Sequence, residues 1–79
     1  MKFTVYSKDG CPYCTKIQAV LELSKLEHRI YKLGVDFNRE QFYDQFGHGS
    51  TFPQVLLNDS TSLGGCTETV QYLRKQNIV

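Results

Sequence analysis

Two cysteines separated by two residues, Cys11 and Cys14, lie where a strand-like segment gives way to a helix-like segment. Residues 2–6 (KFTVY) are mostly β-branched or aromatic and alternate between two faces, which predicts a strand. From Tyr13 to about Leu26, apolar residues recur at helical spacing, which predicts an amphipathic helix. The pair therefore lies at a strand-to-helix junction, next to the free backbone groups of a helix N-terminus.

The rest of the chain alternates between strand and helix patterns. Residues 28–33 predict a second strand, residues 54–58 a third and residues 61–64 a fourth. Asn38 is a candidate N-cap for a middle helix, and a last helix follows Gly64–Gly65. The order βαβαββα predicts an α/β fold with a four-stranded mixed sheet, a parallel first pair, an antiparallel last pair and flanking helices.

Composition limits the class of protein. The chain is 41% hydrophobic and 22% charged, which is typical of a globular protein, and its 79 residues suffice for one domain, residues 1–79. A net charge of +1 gives no electrostatic reason to expect nucleic acid or an acidic membrane as a partner. There is no apolar signal-peptide core and no apolar run that approaches 18 residues, so we expect a soluble, cytoplasmic protein. We also expect a monomer.

The position of the cysteine pair favours thiol chemistry. If the helix begins at Pro12 or Tyr13, Cys11 lies at its N-terminus, exposed and close to the positive end of the helix dipole. Such settings lower a thiol pKa from about 8.5 to roughly 3.5–7.5. Cys14 lies one turn further in and is expected to be more shielded, and sulfurs at i and i+3 can join. These features predict attack by Cys11 and resolution by Cys14.

Two structural roles for the pair are disfavoured. A zinc site needs four ligands, and the other Cys and His residues, which are Cys66, His28 and His48, form no second paired motif. A purely structural disulfide that closes so short a loop removes little entropy from the unfolded chain.

Two further segments have features of a binding site. Pro53 stands directly before the third strand, where the Phe52–Pro53 bond is either trans at the start of an edge strand or cis in a tight turn. Gly64–Gly65 permit a close backbone approach before a helix start, which is either a carboxylate site or a simple turn and cap.

Taken together, these segments resemble the dithiol glutaredoxins. The segments are Cys-Pro-Tyr-Cys after the first strand, Thr-Phe-Pro-Gln-Val before the third and Gly-Gly-Cys before the last helix, in the order of that family's thioredoxin-like fold. Cys-Pro-Tyr-Cys is the family's signature, whereas the Trp-Cys-Gly-Pro-Cys of thioredoxins and the Cys-Gly-Phe-Ser of monothiol relatives are absent. The resemblance implies one glutaredoxin-like domain over residues 1–79.

The same resemblance implies a glutathione-dependent thiol–disulfide oxidoreductase. It would reduce protein disulfides and glutathione mixed disulfides, with glutathione as reductant, ribonucleotide reductase as one candidate substrate and no bound metal. Two alternatives stay open: an iron–sulfur cluster or metal carrier that uses Cys11, and a redoxin reduced by thioredoxin reductase. Pro12 argues against the carrier, because it stiffens the loop and withholds an N–H from a bound sulfide.

The resemblance also implies the residues of a glutathione groove. Lys8 would pair with a glutathione carboxylate, and Tyr13 would line the groove. The segment around Pro53, expected in the cis form, would pair with the cysteinyl part, and the start of the last helix would receive the γ-glutamyl carboxylate. The full implied set is Lys8, Tyr13, Thr51, Phe52, Pro53, Gly65, Cys66 and Thr67.

The chain departs from the family pattern at two positions. Phe52 stands where many members have Val, which alters the shape of the groove. Thr67 followed by Glu68 stands where many members have Asp, so Glu68 is the acidic residue available for the γ-glutamyl ammonium. A further contact from the middle helix is expected from Gln41 or Arg39.

Overall fold

Four strands and three helices alternate along residues 1–78, which are the residues that the computed structural model describes. The elements are β1 (Lys2–Ser7), α1 (Pro12–Leu23), β2 (Glu27–Lys32), α2 (Arg39–Phe46), β3 (Gln54–Leu57), β4 (Thr61–Gly64) and α3 (Cys66–Lys75). The strand order is β2-β1-β3-β4, with β1 parallel to β2 and antiparallel to β3, and with β3 antiparallel to β4. The predicted element order and mixed sheet are confirmed. Within the described residues, no helix is long and apolar enough to cross a membrane.

Some element boundaries differ from the prediction, for reasons that lie in the local backbone. Helix α1 ends at Leu23, about three residues early, because Lys25 adopts a positive φ of 56° that a right-handed helix cannot contain. Strand β3 ends at Leu57 because Asn58, with φ of 54°, already belongs to the turn into β4. Strand β2 begins and ends one residue before its predicted limits, and β1 runs one residue longer.

One face of the sheet packs against α1 and α3 around a mainly aliphatic core. Ile17 and Leu21 are four residues apart, so both side chains lie on the same face of α1, where they are fully buried. Fully burying one side chain of this size stabilises the fold by about 1.5–3 kcal/mol. The buried cluster comprises Phe3, Val5, Ile17, Leu21, Val55, Cys66 and Leu73.

The other face of the sheet packs against α2 through aromatic side chains. Because side chains alternate along β1, Tyr6 points away from the aliphatic core and meets Phe37 and Phe46 edge to face, with ring centroids 5.1 and 5.0 Å apart. Phe42 of α2 is 1% exposed and stacks on Phe52. We call Tyr6, Phe37, Phe42, Phe46 and Phe52 the aromatic cluster.

Helix α2 begins at the predicted cap. The Asn38 Oδ1 accepts a hydrogen bond from the Gln41 N–H at 2.8 Å, and the Gln41 Oε1 accepts one from the Asn38 N–H at 2.9 Å. This reciprocal capping box satisfies donors that have no partner within the helix. The cap therefore fixes the start of the helix that presents Phe42 and Phe46 to the aromatic cluster.

Replacing Asn38 with Ala removes one side of this capping box. We expect the Asn38→Ala variant to lose about 0.5–2 kcal/mol of unfolding free energy, measured by urea denaturation. Gln45→Ala, at an exposed position near the other end of α2, serves as the control and should change stability by less than about 0.5 kcal/mol. Equal losses in the two variants would show that the cap does not stabilise α2.

Candidate active site

The cysteine pair lies at the start of α1, after the turn that follows β1. Gly10 adopts a positive φ of 70° in this turn. Cys11 is then the N-cap residue, with φ of −109° and ψ of 104°, and Pro12 is the first helical residue, as predicted. Cys11 and Cys14 are joined by a disulfide across a Cα–Cα distance of 5.2 Å, so the structure represents the oxidised form.

The sulfur of Cys11 occupies the place that an oxygen takes in most helix caps. The Cys14 N–H donates to the Cys11 Sγ at 3.2 Å, and the Thr15 N–H donates to the Cys11 carbonyl at 3.2 Å. The first turn of α1 contains no acidic residue that would repel a negative charge. After reduction, the N–H donor and the positive end of the helix dipole both favour a thiolate at Cys11.

The exposure of Cys11 is lower than predicted. Cys11 is 9% exposed and Cys14 is 4% exposed, so the predicted order holds but Cys11 is not an exposed side chain. Its sulfur is turned back toward Cys14 in the disulfide. Pro12 and Tyr13 form the outer surface of the turn instead, and Tyr13 is 59% exposed.

A pocket of about 140 Å³ opens beside Tyr13, between the segment around Pro53 and the start of α3. Seven of the eight residues of the implied groove line this pocket. The eighth, Lys8, lies over the ring of Phe52, which is one of the lining residues. Arg39 and Gln41 are not among the lining residues. The lining residues are Tyr13, Thr51, Phe52, Pro53, Gly65, Cys66, Thr67 and Glu68.

The segment around Pro53 forms one wall of the pocket. The Phe52–Pro53 bond is cis, which confirms the expectation. The Gln54 side-chain amide donates to the Thr51 carbonyl at 2.9 Å and ties the segment to the start of β3. A Cβ at Gly65 would lie 3.3 Å from the Pro53 carbonyl oxygen, so the predicted close backbone approach is also present.

Glu68 lines the pocket but was not in the implied groove set. Its Oε1 accepts a hydrogen bond from the Gly65 N–H at 2.8 Å and so caps α3. Gly64 has φ of 95°, and a Cβ at that position would lie 3.1 Å from the Glu68 Cβ. The sequence signal was an acidic residue at the third helical position, where a side chain can reach back to the N-cap.

Cys66 is buried and not disulfide-bonded. Burial raises the pKa of the Cys66 thiol, the nearby Glu68 carboxylate raises it further, and Lys16 acts in the opposite direction. The thiol is therefore predominantly protonated at neutral pH. Among residues 1–78, no three His, Cys, Asp or Glu side chains come together as possible metal ligands.

Sequence comparison connects this geometry to known proteins. The glutaredoxin family model matches residues 3–61. Glutaredoxin 3 of Escherichia coli K12 is 31% identical over 67 residues, which cover 81% of this chain and 76% of that protein. Glutaredoxin 1 of Rickettsia conorii is 30% identical over 64 residues, and the match spans 78% of this chain but 62% of that protein.

Solved structures show the same fold. Glutaredoxin 1 of Francisella tularensis, solved with cacodylate, superposes with a TM-score of 0.78 at 26% identity and covers 96% of this chain and 95% of its own. Buckwheat glutaredoxin, solved in complex with glutathione, has a TM-score of 0.73 at 21% identity over 96% of this chain and 71% of its own. The thioredoxin-like fold is confirmed. With its Cys-X-X-Cys pair and its match over residues 3–61, the chain belongs to the glutaredoxin family of thiol–disulfide oxidoreductases.

Proposed function

We propose that this chain is a glutathione-dependent thiol–disulfide oxidoreductase in which Cys11 attacks the substrate and Cys14 resolves the intermediate. The observation that carries the proposal is the hydrogen bond from the Cys14 N–H to the Cys11 Sγ at the start of α1, near the pocket that Tyr13, the Pro53 segment and the start of α3 line. The substrates are disulfide-containing and glutathionylated proteins. The proposed location is the cytoplasm, where glutathione can keep such a dithiol reduced.

Reduction of a protein disulfide uses both cysteines. The Cys11 thiolate attacks one substrate sulfur, forms a mixed disulfide and releases the other substrate sulfur as a thiolate. The Cys14 thiolate then attacks the Cys11 sulfur, releases the second substrate thiolate and forms the Cys11–Cys14 disulfide. One glutathione thiolate then attacks the Cys11 sulfur, which forms a Cys11–glutathione disulfide and releases the Cys14 thiolate. A second glutathione attacks the bound glutathione sulfur, which restores Cys11 and yields glutathione disulfide.

Reduction of a glutathione mixed disulfide needs Cys11 alone. Its thiolate attacks the glutathione sulfur and releases the protein thiol. A second glutathione then attacks the glutathione sulfur held on Cys11, which releases glutathione disulfide and the Cys11 thiolate. The donor that favours a thiolate at Cys11 also makes Cys11 a good leaving group in this second step.

The polar and charged groups around the pocket support glutathione as the co-substrate. The Cys66 and Thr67 N–H groups lie in the first turn of α3, where N–H groups have no intrahelical acceptor and suit the γ-glutamyl carboxylate. The Glu68 carboxylate suits the ammonium of the same γ-glutamyl group. The second carboxylate of glutathione, on its glycine, is assigned to Lys8. Buckwheat glutaredoxin, a relative of the same fold, was solved in complex with glutathione, which supports glutathione as the co-substrate.

Single-cysteine variants test the two thiol roles. Cys11→Ser should lower turnover of both a glutathionylated peptide and a protein disulfide by at least about a thousandfold, because the attacking sulfur is gone. Cys14→Ser is the matched control, since it should retain deglutathionylation and lose protein-disulfide reduction. Turnover is measured as NADPH oxidation coupled through glutathione reductase. Equal loss of both activities in Cys14→Ser, or turnover with thioredoxin reductase but not with glutathione, would contradict the proposal.

The order of thiol alkylation tests the electrostatics of the site. In the reduced protein, Cys11 should react with iodoacetamide with an apparent pKa below the ordinary thiol value of about 8.5. Cys66 should react slowest at pH 7, because its raised pKa lowers its thiolate fraction. Peptide mapping by mass spectrometry between pH 5 and pH 10 separates the three cysteines. A Cys11 midpoint at or above about 8.5 would show that the helix N-terminus does not stabilise its thiolate.

A further inference from the structure

The ammonium of Lys8 lies over an aromatic ring beside the pocket. Its Nζ is 5.3 Å from the centroid of the Phe52 ring, within the distance at which a cation is attracted to a ring face. The acidic neighbour of Lys8 in the chain, Asp9, pairs with Lys32 at 3.0 Å and not with Lys8. The ring of Phe52 is therefore the contact through which the Lys8 ammonium can be positioned beside the pocket.

The Phe52 ring is itself held by the aromatic cluster. It stacks on Phe42 with centroids 4.1 Å apart and an interplanar angle of 11°, and it lies 6.1 Å from Phe37 at 22°. Phe42 is 1% exposed and Phe37 is 8% exposed, so both supporting rings are fixed in the interior. A ring held in this way offers Lys8 a fixed platform at the edge of the pocket.

A contact with a ring face leaves the lysine free to bind. The ammonium has three N–H donors, and an aromatic ring uses no conventional acceptor to hold it. A free lysine side chain has many rotamers and loses that freedom when it binds a ligand. Placing the ammonium in advance reduces this loss, and its donors remain available for a carboxylate.

We propose that the side chain of Phe52 is a positioning residue, which holds Lys8 over the pocket for the glycine carboxylate of a glutathionyl substrate. This inference rests on the proposed function, because it takes Lys8 as the group that binds this carboxylate. It gives a role to the side chain of Phe52, which stands where many members of the family have Val. The backbone of Phe52 is separate from this role, and the resemblance implies that it pairs with the cysteinyl part of the substrate.

Steady-state kinetics with two matched substrates test the inference. One substrate is a peptide in mixed disulfide with glutathione, and the other carries glutathione whose glycine carboxylate is amidated. Phe52→Leu should raise KM for the first substrate by about two- to fivefold, the size of an exposed cation–π contact, with little change in kcat. KM for the amidated substrate should rise by a smaller factor, because that substrate lacks the carboxylate that Lys8 would bind, and Phe52→Tyr should restore the wild-type KM, because it keeps the ring.

Three further variants separate positioning from general damage to the fold. Phe46→Leu is the matched control, because Phe46 belongs to the same aromatic cluster and lies 5.0 Å from Phe42. The Lys8 ammonium lies over Phe52 and not over Phe46, so this variant removes a cluster ring without removing the contact. It should lower stability and leave both KM values unchanged. Lys8→Met should raise KM for the carboxylate substrate. Adding Phe52→Leu to Lys8→Met should raise that KM no further, because the two residues act through one contact.

Proton NMR gives a readout that does not depend on activity. The Lys8 Cε protons should be shifted upfield by the ring current in the wild type and in Phe52→Tyr, and should return toward ordinary lysine values in Phe52→Leu. Unshifted protons in the wild type would overturn the inference. So would an equal rise in KM for both substrates, or additive effects of Lys8→Met and Phe52→Leu. Failure of the wild type to use the glutathionylated peptide would instead overturn the proposed function itself.

Discussion

The hydrogen bond from the Cys14 N–H to the Cys11 sulfur makes the start of α1 a place where a thiolate is favoured after reduction. A cap residue must lie directly before the first helical turn, so the position of this sulfur depends on where β1 ends and where α1 begins. Strand β1 pairs on both sides, with β2 and with β3, and Ile17 and Leu21 fix α1 on the sheet. The position of the Cys11 sulfur therefore depends on β1 and on the buried face of α1, although Cys11 itself lies at the N-terminal end of that helix.

The two faces of the sheet support different parts of the site. The aliphatic face holds the cysteine pair through α1 and holds the start of α3, where Gly65 and Glu68 border the pocket. The aromatic face holds Phe52, and through it Lys8. The pocket lies between these two supports, so its walls come from segments that are far apart in the chain and meet only in the folded sheet.

Local patterns predicted most of the architecture. Alternation in β1, helical spacing in α1 and the Asn38 cap depend on neighbours in sequence, and each was found in the structure. The end of α1 was predicted too late because a lysine gives no signal for the positive φ that Lys25 adopts.

Features that depend on which side chains meet were not predictable in the same way. The low exposure of Cys11 follows from the direction of its sulfur in the disulfide, and spacing along the chain does not specify that direction. The contact between Lys8 and Phe52 joins residues that are brought together only by the sheet and the aromatic cluster. The resemblance to glutaredoxins supplied the groove residues as a set and marked Phe52 as a departure, but it did not predict that the Phe52 ring would meet Lys8.

The uneven burial of the helices has a consequence for motion. Helix α1 buries Cys14, Ile17 and Leu21, whereas the eight-residue α2 buries Phe42 alone. Segments with fewer buried contacts open at a smaller free-energy cost than the whole fold, so amide hydrogens of α2 should exchange before those of α1. Each such opening takes Phe42 away from Phe52 and loosens one wall of the pocket, while the sulfurs stay where α1 holds them. The width of the binding groove can thus fluctuate on a timescale of its own, separate from the geometry of the reacting atoms.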